Sequence, residues 1–277
     1  MPTINLDCIH MGKSRFRPCE DYALAGKRPL AHLILADGCS ESVGTHLGAA
    51  LLAHAARLAM NRLVAVAGRC DVGLPNYDQL GRAALLQAAG TARRLRLPAT
   101  ALDATLMVLL DAGPFLEVYV YGDGCIVWYS KQADVPRVME VRFDTNAPYY
   151  LSYQLDRDRL RLYRDTLGGS KRLRCTHDRE RELAFDAPTR FRFPARDTQT
   201  LVLASDGLGA FVGPDPADRL PLESAAALLT AFKNPCGAFL QRRVRRGVRQ
   251  LEGRGYRPAD DLSLAAMWRI DTEEARQ

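Results

Sequence analysis

The sequence predicts an α+β domain in which mainly antiparallel sheets are packed together and covered by helices. Three observations lead there. Apolar runs of strand length recur near both ends and through the middle of the chain, over 3–10, 33–36, 105–110, 115–121, 125–129, 198–205 and 262–270. Two helical patterns sit together early and two sit together late, so helices do not alternate with strands as in a doubly wound parallel sheet. The 277 residues are 47% hydrophobic and 25% charged, which is enough apolar material for a sizeable core in one domain spanning 1–277.

The elements follow in order. Thr3 to His10 reads as a strand, and a basic, irregular stretch from Gly12 to Cys19 leads away from it. Tyr22–Ala25 and Leu33–Ala36 read as paired strands around the polar turn Gly26-Lys27-Arg28-Pro29. Leu47, Leu51 and Leu58 have helical spacing within an alanine-rich stretch, predicting a helix over about 45–66. A second helix is predicted from Tyr77 to about Arg96. Thr105–Leu110, Phe115–Tyr121 and Cys125–Tyr129 are expected as neighbouring antiparallel strands, broken by Asp111–Pro114 and by Gly122-Asp123-Gly124. From about 144 to 182 the pattern weakens into a polar stretch, expected to be an exposed, flap-like insertion. Thr198–Ser205 returns to strand. Helices are expected near Ser224–Phe232 and Gly237–Leu251, then a closing strand over Leu262–Ile270 and a frayed tail over 271–277.

Acidic residues stand where apolar runs start or stop. Glu20-Asp21 follows the basic loop, Asp37-Gly38 ends one run, Asp206-Gly207 ends another, and Asp260-Asp261 precedes the last. Alone, each Asp-Gly pair reads as an ordinary turn. Together they could open on one rim of a sheet, and converging carboxylates call for a cation. Oxygen donors suit Mg²⁺ or Mn²⁺, so a metal-dependent hydrolase of phosphate esters is the chemistry expected.

Other classes fall away. There is no G-x-x-x-x-G-K-[ST], no H-E-x-x-H among the five histidines, no G-x-S-x-G elbow and no Cys-x5-Arg cradle. Seven scattered cysteines without a CxxC pair argue for reduced thiols, and the first residues lack a signal-peptide pattern, so a cytoplasmic location is expected. No apolar stretch was expected to reach membrane-span length. The net charge is +6, with much of the excess in Arg242–Arg249. No aromatic residues interleave these arginines, so a solvated helix face is expected there rather than a nucleic-acid site.

Glu20-Asp21-Tyr22, Ala36-Asp37-Gly38-Cys39-Ser40, Asp103-Ala104-Thr105, Gly122-Asp123-Gly124, Ser205-Asp206-Gly207 and Asp260-Asp261-Leu262-Ser263 stand in an order that resembles the metal-dependent protein phosphatases of the protein phosphatase 2C-like family. The resemblance runs from about residue 3 to 270. It implies an αββα fold, a β-sandwich of two mainly antiparallel sheets flanked by helices, and a serine/threonine phosphatase using two Mn²⁺ or Mg²⁺ ions to activate water. Carried over by position, it implies that Asp37 bridges both ions and that the Gly38 carbonyl ligates one. Asp206 and Asp260 would hold the other. Glu20 would reach the first ion and Asp21 would hydrogen-bond metal-bound water, while Asp123 matches a residue of a third, weaker site.

The chain departs from the family pattern at several places. Phe16 stands where a phosphate-binding arginine is usual, with Arg15 and Arg17 beside it; Arg17 is the preferred substitute. Cys19 replaces an asparagine, Cys39 replaces a histidine general acid found in many relatives, and Ala210 replaces an acid of the third metal site. Water, or His46, is left as the acid. The resemblance further implies a phosphorylated protein substrate, a cognate kinase, and a monomer without membrane or nucleic-acid partners. A flap at 144–182 would influence substrate choice. The alternative is a pseudophosphatase that keeps the fold as a regulatory binding module.

Overall fold

The computed structural model describes residues 3–14, 16–70, 74–133, 135–176, 178–215 and 217–270. Arg15 and the 271–277 tail, for which a role and a frayed end were expected, lie outside the described residues.

Alternation along the strands sets the architecture. In β3 (His32–Asp37), Leu33 and Leu35 face one way and Ile34 and Ala36 the other, and all four are fully buried. β3 lies in a five-stranded antiparallel sheet with β2 (Asp21–Gly26), β4 (Leu106–Asp111), β5 (Phe115–Tyr121) and β10 (Thr189–Pro194), in the order β10-β5-β4-β3-β2. Leu201 and Leu203 of β11 (Thr198–Ala204) point inward in the same way, while Val202 and Ala204 point outward. β11 belongs to a seven-stranded sheet. Its other members are β1 (Thr3–Met11), β6 (Gly124–Ser130), β7 (Arg137–Phe143), β8 (Ser170–Cys175), β9 (Arg181–Ala184) and β14 (Leu262–Ile270), in the order β1-β14-β11-β6-β7-β8-β9.

The two sheets pack face to face through Leu33, Leu35, Met107, Leu109, Leu201 and Met267. A residue on one inner face finds no water, so each such leucine contributes about 2–5 kcal/mol against truncation to alanine. The outer face of the five-stranded sheet is covered by α1 (Thr45–Cys70) and α2 (Tyr77–Arg94), packed through Ala49, Leu52, Ala56, Met60, Leu80 and Ala84. α2 starts at a capping box in which Asn76 and Gln79 exchange side-chain and backbone bonds. The outer face of the other sheet is covered by α4 (Leu222–Thr230) and α5 (Phe239–Glu252) through Ala225, Leu229, Leu240, Val244 and Leu251. The result is the expected αββα sandwich. β12 (Phe211–Val212) and β13 (Arg257–Pro258) form a separate small ribbon.

Three expectations are corrected. β6 is not the neighbour of β5: it lies in the opposite sheet between β11 and β7. Gly122 (φ 100°) and Gly124 (φ 137°) take backbone angles that side chains resist, and they turn the chain from one sheet to the other. The 144–182 stretch is more regular than its polarity suggested. It holds α3 (Arg157–Thr166), and its last part supplies β8 and part of β9 to the edge of the seven-stranded sheet. Finally, Thr45–Ala67 of α1 is long and apolar enough on length and composition to cross a membrane, contrary to the sequence expectation. Here its Ala49, Leu52, Ala53, Ala56 and Met60 are buried against β-sheet and α2, as in a core helix.

Candidate functional site

The acidic motifs meet at one end of the sandwich because of strand direction. Asp21 opens β2 and Asp37 closes β3, and the two are directly paired across this antiparallel ladder. Ala204 of β11 pairs with both Cys125 of β6 and Leu264 of β14. Asp123, Asp206 and Asp260 therefore emerge from the other sheet at the same end.

Local contacts fix each group. The Gly38 amide donates to the Glu20 carbonyl (3.1 Å), the Cys39 amide to the Asp103 carbonyl (2.8 Å), and the Thr105 amide to the Asp37 carbonyl (2.8 Å). A Cβ at Gly38 would lie 2.8 Å from the Glu20 carbonyl oxygen, so only glycine lets the loops approach this closely. Gly207 has the same function beside β14, where a Cβ would overlap the Asp261 carbonyl. Its absence of side chain brings Asp206 next to Asp260-Asp261. Glu20 accepts hydrogen bonds from Ser40 Oγ (2.8 Å) and Thr45 Oγ1 (3.0 Å). Ser205 Oγ donates to Asp21 Oδ2 (2.8 Å) and accepts from the Ser263 amide (3.0 Å), tying β2, β11 and β14 together.

The electrostatics are those of a crowded acidic cluster. Burial raises the Asp21 carboxyl to about 7, although the hydrogen bond from Ser205 Oγ opposes the shift. Asp37 rises well above the usual carboxylate range, first through burial and then through the charges of Asp21, Asp206 and Asp123. Burial, then the Asp206 charge, raises Asp123; burial, then Asp260, raises Asp206. Asp21 is 2% exposed, and its Oδ1 is buried without a hydrogen-bond donor. Asp37 lies beside both Asp21 and Asp206, directly across the ladder from the first. Among the described residues the acids stand in such pairs, and no three or more are drawn in around one point as a finished metal cage. An all-oxygen set with an orphaned buried carboxylate oxygen fits a hard divalent cation. A cleft of about 640 Å³ opens onto Asp123, Asp206 and Asp260, with Glu140, Arg142 and Arg219 in its wall.

The structure thus brings Glu20, Asp21, Asp37, Gly38, Asp123, Asp206 and Asp260 together. It does not bring Arg17, which is exposed on the loop and makes no ion pair among the described residues. His46 likewise makes no hydrogen bond to the cluster among the described residues. The cation at the rim is Lys13, which sequence reasoning missed. Its ammonium donates to Asp260 Oδ1 (2.8 Å) and Ser40 Oγ (3.3 Å). Asp261 holds that loop in place, accepting from the Lys13 amide (2.7 Å) and the Glu20 amide (2.6 Å). A lysine three residues after the end of a predicted strand carried no signal beyond its place in the basic stretch.

Also missed was the support behind the loop. The Asp103 carboxylate is bound by Ser42 Oγ (2.9 Å), Ser152 Oγ (2.6 Å) and both oxygens by Arg159 Nη2 (3.0 and 2.9 Å). Arg159 comes from α3, so this acid joins the 144–182 segment to the Asp37–Thr45 loop. Tyr150, two residues before Ser152, is buried close to Cys39.

Comparison with known proteins agrees with this geometry. The sequence model described as protein phosphatase 2C matches residues 12–246. No curated protein matches the chain by sequence. Among solved structures, the chain resembles the catalytic domain of the serine/threonine protein phosphatase PstP in complex with two manganese ions (18% identity, TM-score 0.54, 98% of this chain and 100% of that one). It also resembles Stp1, a serine/threonine phosphatase from Staphylococcus aureus (12%, 0.54, 96% and 95%). A third is PppA, described as a regulatory component of T6SS in Pseudomonas aeruginosa (14%, 0.53, 96% and 98%). At these identities the structural likeness establishes the fold, and the match over 12–246 establishes the family. The chain belongs to the protein phosphatase 2C family.

Proposed function

We propose that this chain is a divalent-metal-dependent phosphatase acting on phosphoserine and phosphothreonine in proteins. The observation that carries the reading is the convergence of Asp21, Asp37, Asp123, Asp206 and Asp260 at one sandwich end, with Asp21 Oδ1 buried and undonated. Asp37 and the Gly38 carbonyl, with Glu20 and Asp21, would hold one ion; Asp37, Asp206 and Asp260 would hold the second. Asp123 is the residue available to a third, and Ala210 supplies no carboxylate for it. When bound, Mn²⁺ or Mg²⁺ supplies an activated water and neutralises the phosphoryl oxygens.

The chain's own residues position and shield. Ser40 and Thr45 fix both oxygens of Glu20. Ser205 fixes Asp21 through Oδ2 and leaves Oδ1 without a donor. Lys13 carries positive charge at the rim, where a phosphoryl oxygen can exchange with Asp260 as its acceptor. Arg17 remains a candidate for the phosphate if its loop moves inward, and Arg15, outside the described residues, is the other candidate. No histidine is bonded to the cluster among the described residues, so solvent is the proposed acid for the leaving alkoxide. The partners in this reading are a phosphorylated protein and its kinase, with the chain acting as a cytoplasmic monomer; the 144–182 flap beside Cys39 would shape substrate choice.

A second reading, a pseudophosphatase, is favoured by the exposed Arg17 and by the Lys13 ammonium bound to Asp260. The test is p-nitrophenyl phosphate hydrolysis with Mn²⁺, with EDTA, and in Asp206→Ala. Mn²⁺-dependent turnover that the substitution removes supports the phosphatase. A folded wild-type protein without turnover at saturating Mn²⁺ leaves the pseudophosphatase.

A further inference from the structure

The arginines of α5 take no part in the chemistry above. The helix buries Leu240, Val244, Gly247, Val248 and Leu251 against the sheet and α4, and leaves Arg242, Arg245, Arg246 and Arg249 exposed. Steps of three and four place these four on one stripe. Among the described residues none of them forms an ion pair. Arg242 Nη2 donates to the Cys236 carbonyl (2.7 Å) and Arg249 Nε to the Arg245 carbonyl (3.3 Å). Arg243 Nε is buried without an acceptor. Like charges at this spacing repel, and cations near a helix N-terminus oppose its dipole.

The stripe lines two grooves that share Arg245. One, of about 680 Å³, is floored by Phe232 and Phe239 and walled by Lys233, Arg242, Arg245 and Arg246. The other, of about 790 Å³, contains Arg245 again, with Arg257 and the Met11–Ser14 loop. Lys13 of that loop contacts Asp260, so the basic path ends at the carboxylate cluster. The start of α5 is not itself a free anion site, because Asp7 Oδ2 accepts from the Leu240 (2.8 Å) and Gln241 (3.1 Å) amides.

We propose that α5 and the Lys13 loop form a docking surface for an acidic segment of the phosphoprotein that the site acts on. The inference rests on the phosphatase reading for the identity of the partner. A helix of this length spans about 21 Å, which an extended peptide covers in about six residues. Unpaired guanidinium groups complement carboxylates in such a segment. The aromatic floor does not suit nucleic acid: Phe239 is 2% exposed and packs edge-on against Phe232 and Trp268, so it offers no open face to a base.

The test measures binding of a fluorescein-labelled Asp/Glu-rich peptide without phosphate, using fluorescence anisotropy. A neutral peptide and a single-stranded oligonucleotide of equal charge serve as comparisons. The proteins are wild type and Arg242→Gln/Arg246→Gln/Arg249→Gln, and p-nitrophenyl phosphate hydrolysis is followed in parallel. The expected result is salt-sensitive binding of the acidic peptide, weakened about tenfold in the variant, with p-nitrophenyl phosphate turnover unchanged. An acidic tail on a phosphopeptide should also lower KM in wild type only. Equal peptide binding by wild type and variant overturns the inference. So does tighter arginine-dependent binding of the oligonucleotide. Intact turnover with no peptide binding removes the docking surface alone, whereas arginine-dependent peptide binding without any turnover keeps the surface and removes the phosphatase reading.

Discussion

Replacing Arg159 with methionine tests the link between the 144–182 segment and the Asp37–Thr45 loop. Asp103 is 2% exposed, and Arg159 supplies its only ion pair among the described residues, through bonds of 2.9 and 3.0 Å. Removing one partner of a buried pair leaves a carboxylate without its countercharge, which costs about 3–5 kcal/mol in general. Ser42 and Ser152 still donate to both oxygens, so about 2–3 kcal/mol is the expected loss. For a chain of this size that lowers Tm by about 4–10 °C. Calorimetry of wild type, Arg159→Met, Asp103→Asn and the double variant measures it. The double variant should recover at least about 1 kcal/mol of the summed losses, because the uncompensated charge is gone. An Arg159→Met protein melting within 1 °C of wild type, or strictly additive losses, would refute the reasoning.

Three further outcomes are expected. Lys13→Met should raise KM for p-nitrophenyl phosphate about tenfold with a smaller change in kcat, as loss of one charged hydrogen bond requires; an unchanged KM removes Lys13 from phosphate recognition. Lys171 is 2% exposed, and burial lowers its ammonium from 10.5 to about 8. Between those values the unfolded chain binds more protons, so this residue's penalty is full below pH 8 and fades towards pH 10.5. Lys171→Met should therefore gain about 1–3 kcal/mol relative to wild type at pH 7, and the gain should shrink as urea melts are repeated from pH 8 to 10; a flat difference contradicts this. Gly207→Ala should cost about 3 kcal/mol or more and weaken Mn²⁺ binding, because its Cβ would overlap the Asp261 carbonyl. Wild-type stability and affinity in that variant would show that the turn is not sterically fixed.

The legible parts of the fold were those with strong local periodicity. β2, β3, β4, β5, β11, β14 and the early helices carry continuous apolar runs, and their predicted bounds lie within a few residues of those observed. β7, β8 and β10 were not legible, because Arg137, Arg142, Arg172, Arg174, Arg190 and Arg192 interrupt their apolar faces. Arg142, Arg172, Arg174 and Arg192 pair with acids on neighbouring elements, as Arg192 does with Glu117 and Arg174 with Glu223, and Arg137 lies over the Trp128 ring. The place of β6 was hidden because a strand's own pattern does not say which sheet it joins. In the site, Asp-Gly at strand ends gave the carboxylates. Lys13 and Arg159 were invisible because their contacts span 247 and 56 residues of sequence.

The central claim is that this cluster is a divalent-metal centre. Calorimetric titration of the metal-stripped chain with Mn²⁺, compared with Asp37→Asn, tests it most directly, since it does not depend on the choice of substrate. Two bound ions per chain are expected, with the loss of at least one in Asp37→Asn and the folded state of both proteins checked by circular dichroism. A folded wild-type chain that takes up no Mn²⁺ at millimolar concentration would contradict it.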